Sequence, residues 1–212
     1  MSEPEPPPPT VRLTDPRALR AYAHPTRMAL VGLLRREGPL TATRAAGLVG
    51  ESVASCSFHL RQLARYGLVE EAGGGRGREK PWRATALHTS WDTADADPAT
   101  AEAAGALQRT VVERYAALAE HWLAAQRTEE PAWQHAAGIS DTLLHLTAEE
   151  LAGLTAGMDA LMRPYLGRLG GAADRPADRP AGSRPVLLVR MALPSDTAPP
   201  APGTDTPAEA AP

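Results

Sequence analysis

Between Ser52 and Glu71 the chain reads SVASCSFHLRQLARYGLVEE, a stretch that holds the only phenylalanine and the only cysteine of 212 residues. At about 100° per residue, Val53, Cys56, Leu60, Leu63 and Ala64 share one side of a helix, while Ala54, Ser55, Phe58, Arg61, Gln62 and Arg65 share the other. Arginine can pair bidentately with guanine, glutamine can do the same with adenine, and an apolar side chain can meet the thymine methyl. The outward face therefore carries the chemistry for reading base edges in a DNA major groove. Ser52, Ser55, Ser57 and His59 lie at the helix start or on its flanks, where hydroxyls, imidazole and free backbone N–H groups reach phosphates.

The elements that must hold this face can be read on either side of it. Helical periodicity begins at Pro16, breaks at His24-Pro25 and restarts, with Met28, Leu30, Val31, Leu33 and Leu34 as the apolar stripe as far as Glu37. Gly38-Pro39 ends that helix. Thr41 can cap a short helix carrying Ala45, Leu48 and Val49, with Gly50 as its left-handed stop. Ser52 is a good cap for the third helix, which should end at Gly67. Leu68 to Ala72 and Pro81 to Thr85 read as two strands joined by GGGRGREK, which puts Arg76, Arg78 and Lys80 at the tip and Arg83 beside it. Three helices followed by a basic hairpin are the parts of a winged helix-turn-helix, whose third helix enters the major groove while the hairpin follows the backbone or minor groove. Charge agrees: Arg17 to Thr85 holds twelve Arg or Lys against five Glu, and the rest of the chain ten against twenty acids.

In three pieces, AHPTRMALVGLL, GPLTATRAAGLVGESVASCSFHLRQLARYGLVEE and GRGREKPWR, the sequence resembles the arsenical-resistance-repressor (ArsR) family of winged-helix regulators, and more closely an ArsR-like branch found in GC-rich bacteria. Ser57-Phe58-His59-Leu60 matches the family's serine-x-histidine-leucine, and the likeness extends from about Pro16 to Thr85. The resemblance implies DNA binding and, by family habit, repression. The branch commonly has tyrosine where this chain has Phe58, so a contact there is apolar.

Other chemistries find less support. Metal-sensing members of the family place cysteine pairs near the second helix or His and Asp pairs on a later one. TATRAAGLVG has no cysteine, and His121 is the one histidine of the later helix, with Glu113 and Glu120 as ordinary surface carboxylates, so no metal and no cofactor is expected. His24 reads as a local packing residue, and His88, His135 and His145 form no ligand spacing. GGGRGREK lacks the Gly-Lys-Ser/Thr of a phosphate-binding loop, no serine sits in a nucleophile elbow, and no catalytic residue is assigned. Cys56 invites a thiol switch, but its inward position favours a small buried hydrophobe. The acidic, proline-rich start does not look like a secretory signal, and no apolar run could span a membrane, so the expected location is cytoplasmic and nucleoid-associated.

Asp97-Pro98 should open a long helix to about Arg127. Leu107, Val111, Tyr115, Leu118 and Trp122 recur on it at coiled-coil-like spacing, and Val112, Ala119 and Leu123 widen the stripe. Packing on its own domain is one reading. Pairing two subunits is the favoured one, because a pseudo-palindromic operator on double-stranded DNA needs a homodimer. Beyond it, a strand at Ile139 to Leu146 and a helix capped by Thr147 and Glu150 are expected. That helix should bury Leu151, Leu154, Met158, Leu161, Tyr165 and Leu169, and VLLVRMAL should form a closing strand. Trp122, Trp133 and Tyr165 are candidate walls for a small-molecule effector of unknown identity.

The expected fold class is α+β, mainly helical. The organisation is a disordered tail over 1–15, a winged helix-turn-helix over 16–90, a dimerisation helix over 97–128, a small α+β region over 131–193 and a second disordered tail over 194–212. The alternative from another class is a winged-helix adaptor that binds proteins and has no specific DNA site.

Overall fold

The computed structural model describes residues 10–73, 80–91, 96–166, 168 and 180–194. The Asp15 carboxylate accepts the Arg17 N–H at 2.7 Å and Pro16 fills the first turn, where a missing N–H costs nothing, so helix α1 spans Pro16–Tyr22. The chain restarts at Pro25 as α2, Pro25–Glu37, which Gly38 closes at φ 84°. Thr41 caps α3, Ala42–Val49, by accepting the Arg44 N–H at 3.2 Å, and Gly50 follows at a left-handed φ of 73°. Ser52 caps α4, Val53–Arg65, by accepting the Ser55 N–H at 3.1 Å. Cys56, Leu60 and Leu63 of α4 are fully buried, in one core with Leu30, Val31 and Leu34 of α2 and Ala45 and Ala46 of α3. These α4 residues are three of the five inward ones that the helical spacing selects; Ala64 is partly buried against the core, and Val53, in the first turn, is exposed instead and borders a groove between α4 and the start of α3.

The wing follows. Strands β2, Val69–Glu71, and β3, Trp82–Ala84, run antiparallel with Val69 opposite Ala84 and Glu71 opposite Trp82. Leu40 adds a rung: its N–H donates to the Trp82 carbonyl at 2.9 Å, and the Trp82 N–H returns to the Leu40 carbonyl at 2.8 Å. The root of the wing is thereby tied to the turn between α2 and α3, which fixes it beside α4.

A second small sheet corrects the expectation of a disordered tail over 1–15. Thr10–Leu13 forms β1, parallel to β4, His88–Trp91, with Thr10 opposite His88 and Leu13 opposite Trp91. Residues 1–9 lie outside the described residues. The local composition hid this strand because its partner lies beyond the wing, and TVRL has nothing of its own to pair with. Arg35 of α2 locks the arrangement. Its Nε donates to the Ala86 carbonyl at 2.9 Å and its Nη2 to the Thr89 hydroxyl at 2.7 Å. Burial lowers the Arg35 pKa while Tyr22 and Tyr115 oppose that shift, and the guanidinium stays charged.

Helix α5, Pro98–Ala125, begins at Asp97, whose carboxylate accepts the Ala99 and Thr100 N–H groups at 3.0 and 3.2 Å. Its first turns pack on α1, with Ala103, Ala104 and Leu107 buried in the same core as Leu19 and Tyr22. Leu107 is therefore not a dimer contact but part of its own chain's core, and the reading of α5 as packing on its own domain holds for its first half. Leu107→Ala should cost about 2–5 kcal/mol of stability by leaving a cavity. Urea unfolding measures this, and a loss well under 1 kcal/mol would take Leu107 out of the core.

After α5 come a short 3-10 turn at Gln126–Thr128, helix α6 at Pro131–Ala136 and helix α7 at Ala148–Leu166. The capping box that opens α7 is present, with the Thr147 N–H on Glu150 at 2.8 Å and the Glu150 N–H on Thr147 at 3.2 Å. Helix α6 was not expected, and the described residues of the expected small α+β region form helices without a strand. Residues 139–146 and 186–193 form neither helix nor strand and pair with no described residue in a sheet. Leu154, Met158, Leu161 and Tyr165 on α7 are exposed, Leu151 is half-buried, and Leu169 lies outside the described residues. Periodicity identified the apolar face of α7 but could not say what covers it. The architecture as a whole is α+β, mainly helical, with the core gathered around α1 to α4, the wing and the start of α5.

Candidate nucleic-acid interface

The cap at Ser52 and the buried stripe of α4 turn the opposite face outward. Phe58 is 50% exposed and meets the edge of the His59 ring at 5.4 Å. Arg61 and Arg65 are exposed and Gln62 is half-buried, while the Arg65 guanidinium stands 6.0 Å from the Tyr66 ring centre. Ser52 is exposed, and Ser55 and Ser57 are half-buried on the flanks. Between the start of α3, α4 and the wing runs a groove of about 500 Å3 that includes Thr43, Ser57, Arg61, Lys80 and Trp82. Arg61 and Lys80 thus border one groove from two different elements.

The described part of the wing is less basic in effect than its composition suggests. Lys80 pairs with Glu71 at 2.9 Å and Arg83 with Glu70 at 2.6 Å, each pair across the strands and half-exposed. Such exposed pairs are worth about 0–1 kcal/mol, so a phosphate can compete for either base. Arg76 and Arg78 lie outside the described residues.

One cluster escaped the sequence reading. His24, at the cap of α2, lies against His59 of α4 with ring centres 4.6 Å apart, and Nδ1 of each is buried without a hydrogen-bond partner. Arg27 Nε is buried nearby in the same condition, and Glu51 accepts the Thr26 hydroxyl at 3.1 Å. Burial, then Arg27, lowers both histidine pKa values, His59 lowers that of His24 further, and Glu51 opposes both shifts. His59 is therefore at least as much a packing residue, joining α4 to α2, as a phosphate contact. AHPTR and SFHL are each visible in the sequence, but nothing local says that their histidines meet.

The consequence for pH has a definite sign. Both folded values lie below the ordinary histidine value of about 6.5, so their contribution to stability is complete above that pH and is lost as pH falls through the lowered values. Unfolding free energy should drop from pH 6.5 toward pH 5, and a His24→Phe, His59→Phe double variant should flatten that drop. Denaturant titration across this range checks it, with an equally steep fall in the variant as the contrary result.

Cys56 is fully buried, and burial followed by Glu51 raises its pKa, which gives the thiol none of the electropositive, accessible character of a switch. On α5, Val111 packs against the core and Tyr115 is half-buried near Tyr22 and Arg35. Trp122 is half-buried with its Nε1 enclosed. Leu118 is exposed, as are Val112 and Leu123, which lie on the widened edge of the stripe. Of the three aromatics considered as pocket walls, Trp133 is covered by the Arg184 guanidinium at 4.4 Å and Tyr165 by Arg168 at 4.9 Å. None of the three lines the groove beside α4 or the shallower one of about 400 Å3 on α5.

Residues 22–72 match the family model described as a helix-turn-helix domain, a span that takes in α2, α3, α4 and β2. No curated protein matches the chain. The chain carries a helix-turn-helix DNA-binding domain, a kind that typically regulates transcription and is not an enzyme. Among the described residues no helix is long and apolar enough to cross a membrane.

Proposed function

We propose that this protein is a sequence-specific transcriptional regulator of the ArsR-like winged-helix type, most simply a repressor, that acts in the cytoplasm as a homodimer on a pseudo-palindromic operator. The observation that carries this reading is the outward face of α4, where Phe58, Arg61 and Arg65 are exposed and Gln62 half-buried in a helix-turn-helix domain. Three different side-chain chemistries for three different base edges favour specific over general binding. Homodimerisation is supported by Val112, Leu118 and Leu123, all exposed on a helix whose first turns are anchored to the DNA-binding part. Residues 16–90 then read DNA, the helix within 97–128 joins two copies, and an effector, if the protein has one, acts through the C-terminal part.

The ion pairs that occupy Lys80 and Arg83 favour the alternative, a winged-helix adaptor with little need for phosphate contacts. Titration of the full chain against its selected duplex and a scrambled one, at several salt concentrations, separates the two. A regulator should prefer its site by about 10³-fold or more, and Arg78→Ala should weaken both duplexes alike and flatten the salt dependence. Equal affinity for both duplexes supports the adaptor.

A further inference from the structure

The C-terminal part of the chain presents two apolar segments outside any helix or strand, residues 139–146 and 186–193, before and after α7 in the sequence. Neither makes a backbone hydrogen bond to any described residue, so no described residue pairs with the N–H and carbonyl groups along either edge. Ten large apolar residues in the two segments are exposed, from Leu146 at 43% to Leu193 at 78%. Two ion pairs flank or join the second segment: Arg184, just before it, binds Glu129 at 2.8 Å and lies over Trp133, and Arg190 within it binds Asp159 of α7 at 3.0 Å. The apolar side chains are left uncovered.

We propose that these two segments are strands of an intermolecular sheet, completed by the same segments of a second copy of this chain and covered by the apolar faces of the two α7 helices. Three observations select a second copy. One chain supplies two such strands and one helix, and a two-stranded sheet is marginal in water, whereas two copies supply four strands and two covering helices. The exposed apolar residues of the segments, at roughly 100 Å2 each, offer on the order of 1,000 Å2 per chain, which meets the roughly 800 Å2 per partner that a stable interface buries. The segments contain one acid and one arginine between them, Asp141 and Arg190, so they have little charge with which to bind a polyanion or a strongly charged partner. Leu118 and Leu123 of α5 are exposed as well, so the sheet would be a second contact beside the one proposed for that helix. The inference rests on the homodimeric reading but assigns a different surface to it.

The test is a half-labelled sample of the full chain, with isotope-labelled and unlabelled copies mixed by unfolding and refolding together, in which intermolecular nuclear Overhauser effects are selected. The expected result is backbone contacts between residues 139–146 or 186–193 of one copy and the same segments of the other. In parallel, Leu144→Asp with Val189→Asp should raise the dimer dissociation constant on the order of 100-fold or more, because burying an unpaired carboxylate is costly. Helicity should be unchanged, since neither side chain touches the core. Contacts confined within one chain would overturn the inference, as would segments that stay coil-like in a dimer held by α5, which leaves the homodimer reading intact. A protein monomeric at all concentrations would overturn both.

Discussion

Arg61→Ala and Gln62→Ala should each abolish the preference for one base pair and leave general DNA affinity almost unchanged. A bidentate contact to a base edge is worth about 1–3 kcal/mol, so each variant should lose about 10- to 100-fold of discrimination at its own position. Alanine is a good helix former and Arg61 is exposed, so the loss should come without unfolding α4. Phe58→Ala should weaken preference for thymine at a neighbouring position by a smaller amount. Titration against a panel of duplexes that differ at single base pairs resolves these effects. Unchanged preference in both polar variants would mean that α4 is not the reading helix.

Separating the subunits should cost still more. Each winged helix reaches a few base pairs, and a second one on a common two-fold axis adds its contacts at a high effective concentration, so a monomer should lose about 10²- to 10⁴-fold in operator affinity. Sequence spacing alone marks Val111 and Leu118 as the centre of the stripe. The structure moves the choice: Val111 is partly buried against its own core, where aspartate would destabilise the fold, whereas Leu118 and Leu123 are exposed. Leu118→Asp with Leu123→Asp should therefore give a folded protein of monomer mass by light scattering. A monomer that retains wild-type operator affinity would show that one winged helix suffices, and a persistent dimer would place the contact elsewhere.

What could be read in advance follows the range of the forces involved. Caps, proline starts and glycine stops act over one turn, and the boundaries of α2, α3, α4 and α5 were legible from Pro25, Thr41, Ser52 and Asp97. The inward stripe of α4 was legible because it is fixed by the helical repeat, and with it the outward set Phe58, Arg61, Gln62 and Arg65. Features that depend on a distant partner were hidden. Strand β1 needs β4, the Leu40 rung needs Trp82, the His24 ring needs His59, and Arg35 needs the Ala86 carbonyl. Apolar spacing misled in two opposite ways for the same reason: Leu107 proved to be core and the α7 stripe proved to be exposed, because spacing reports an apolar face without its neighbour.

Selection of bound duplexes from randomised DNA by the wild-type full chain tests the central claim most directly. Two winged helices related by a two-fold axis should enrich an inverted repeat whose half-sites lie about 10 to 10.5 bp apart, centre to centre, or a multiple of that distance. The most constrained positions should fall where Arg61 and Gln62 reach the base edges. Recovery of sequences no different from the starting pool, at salt concentrations where the protein still binds DNA, would contradict the account.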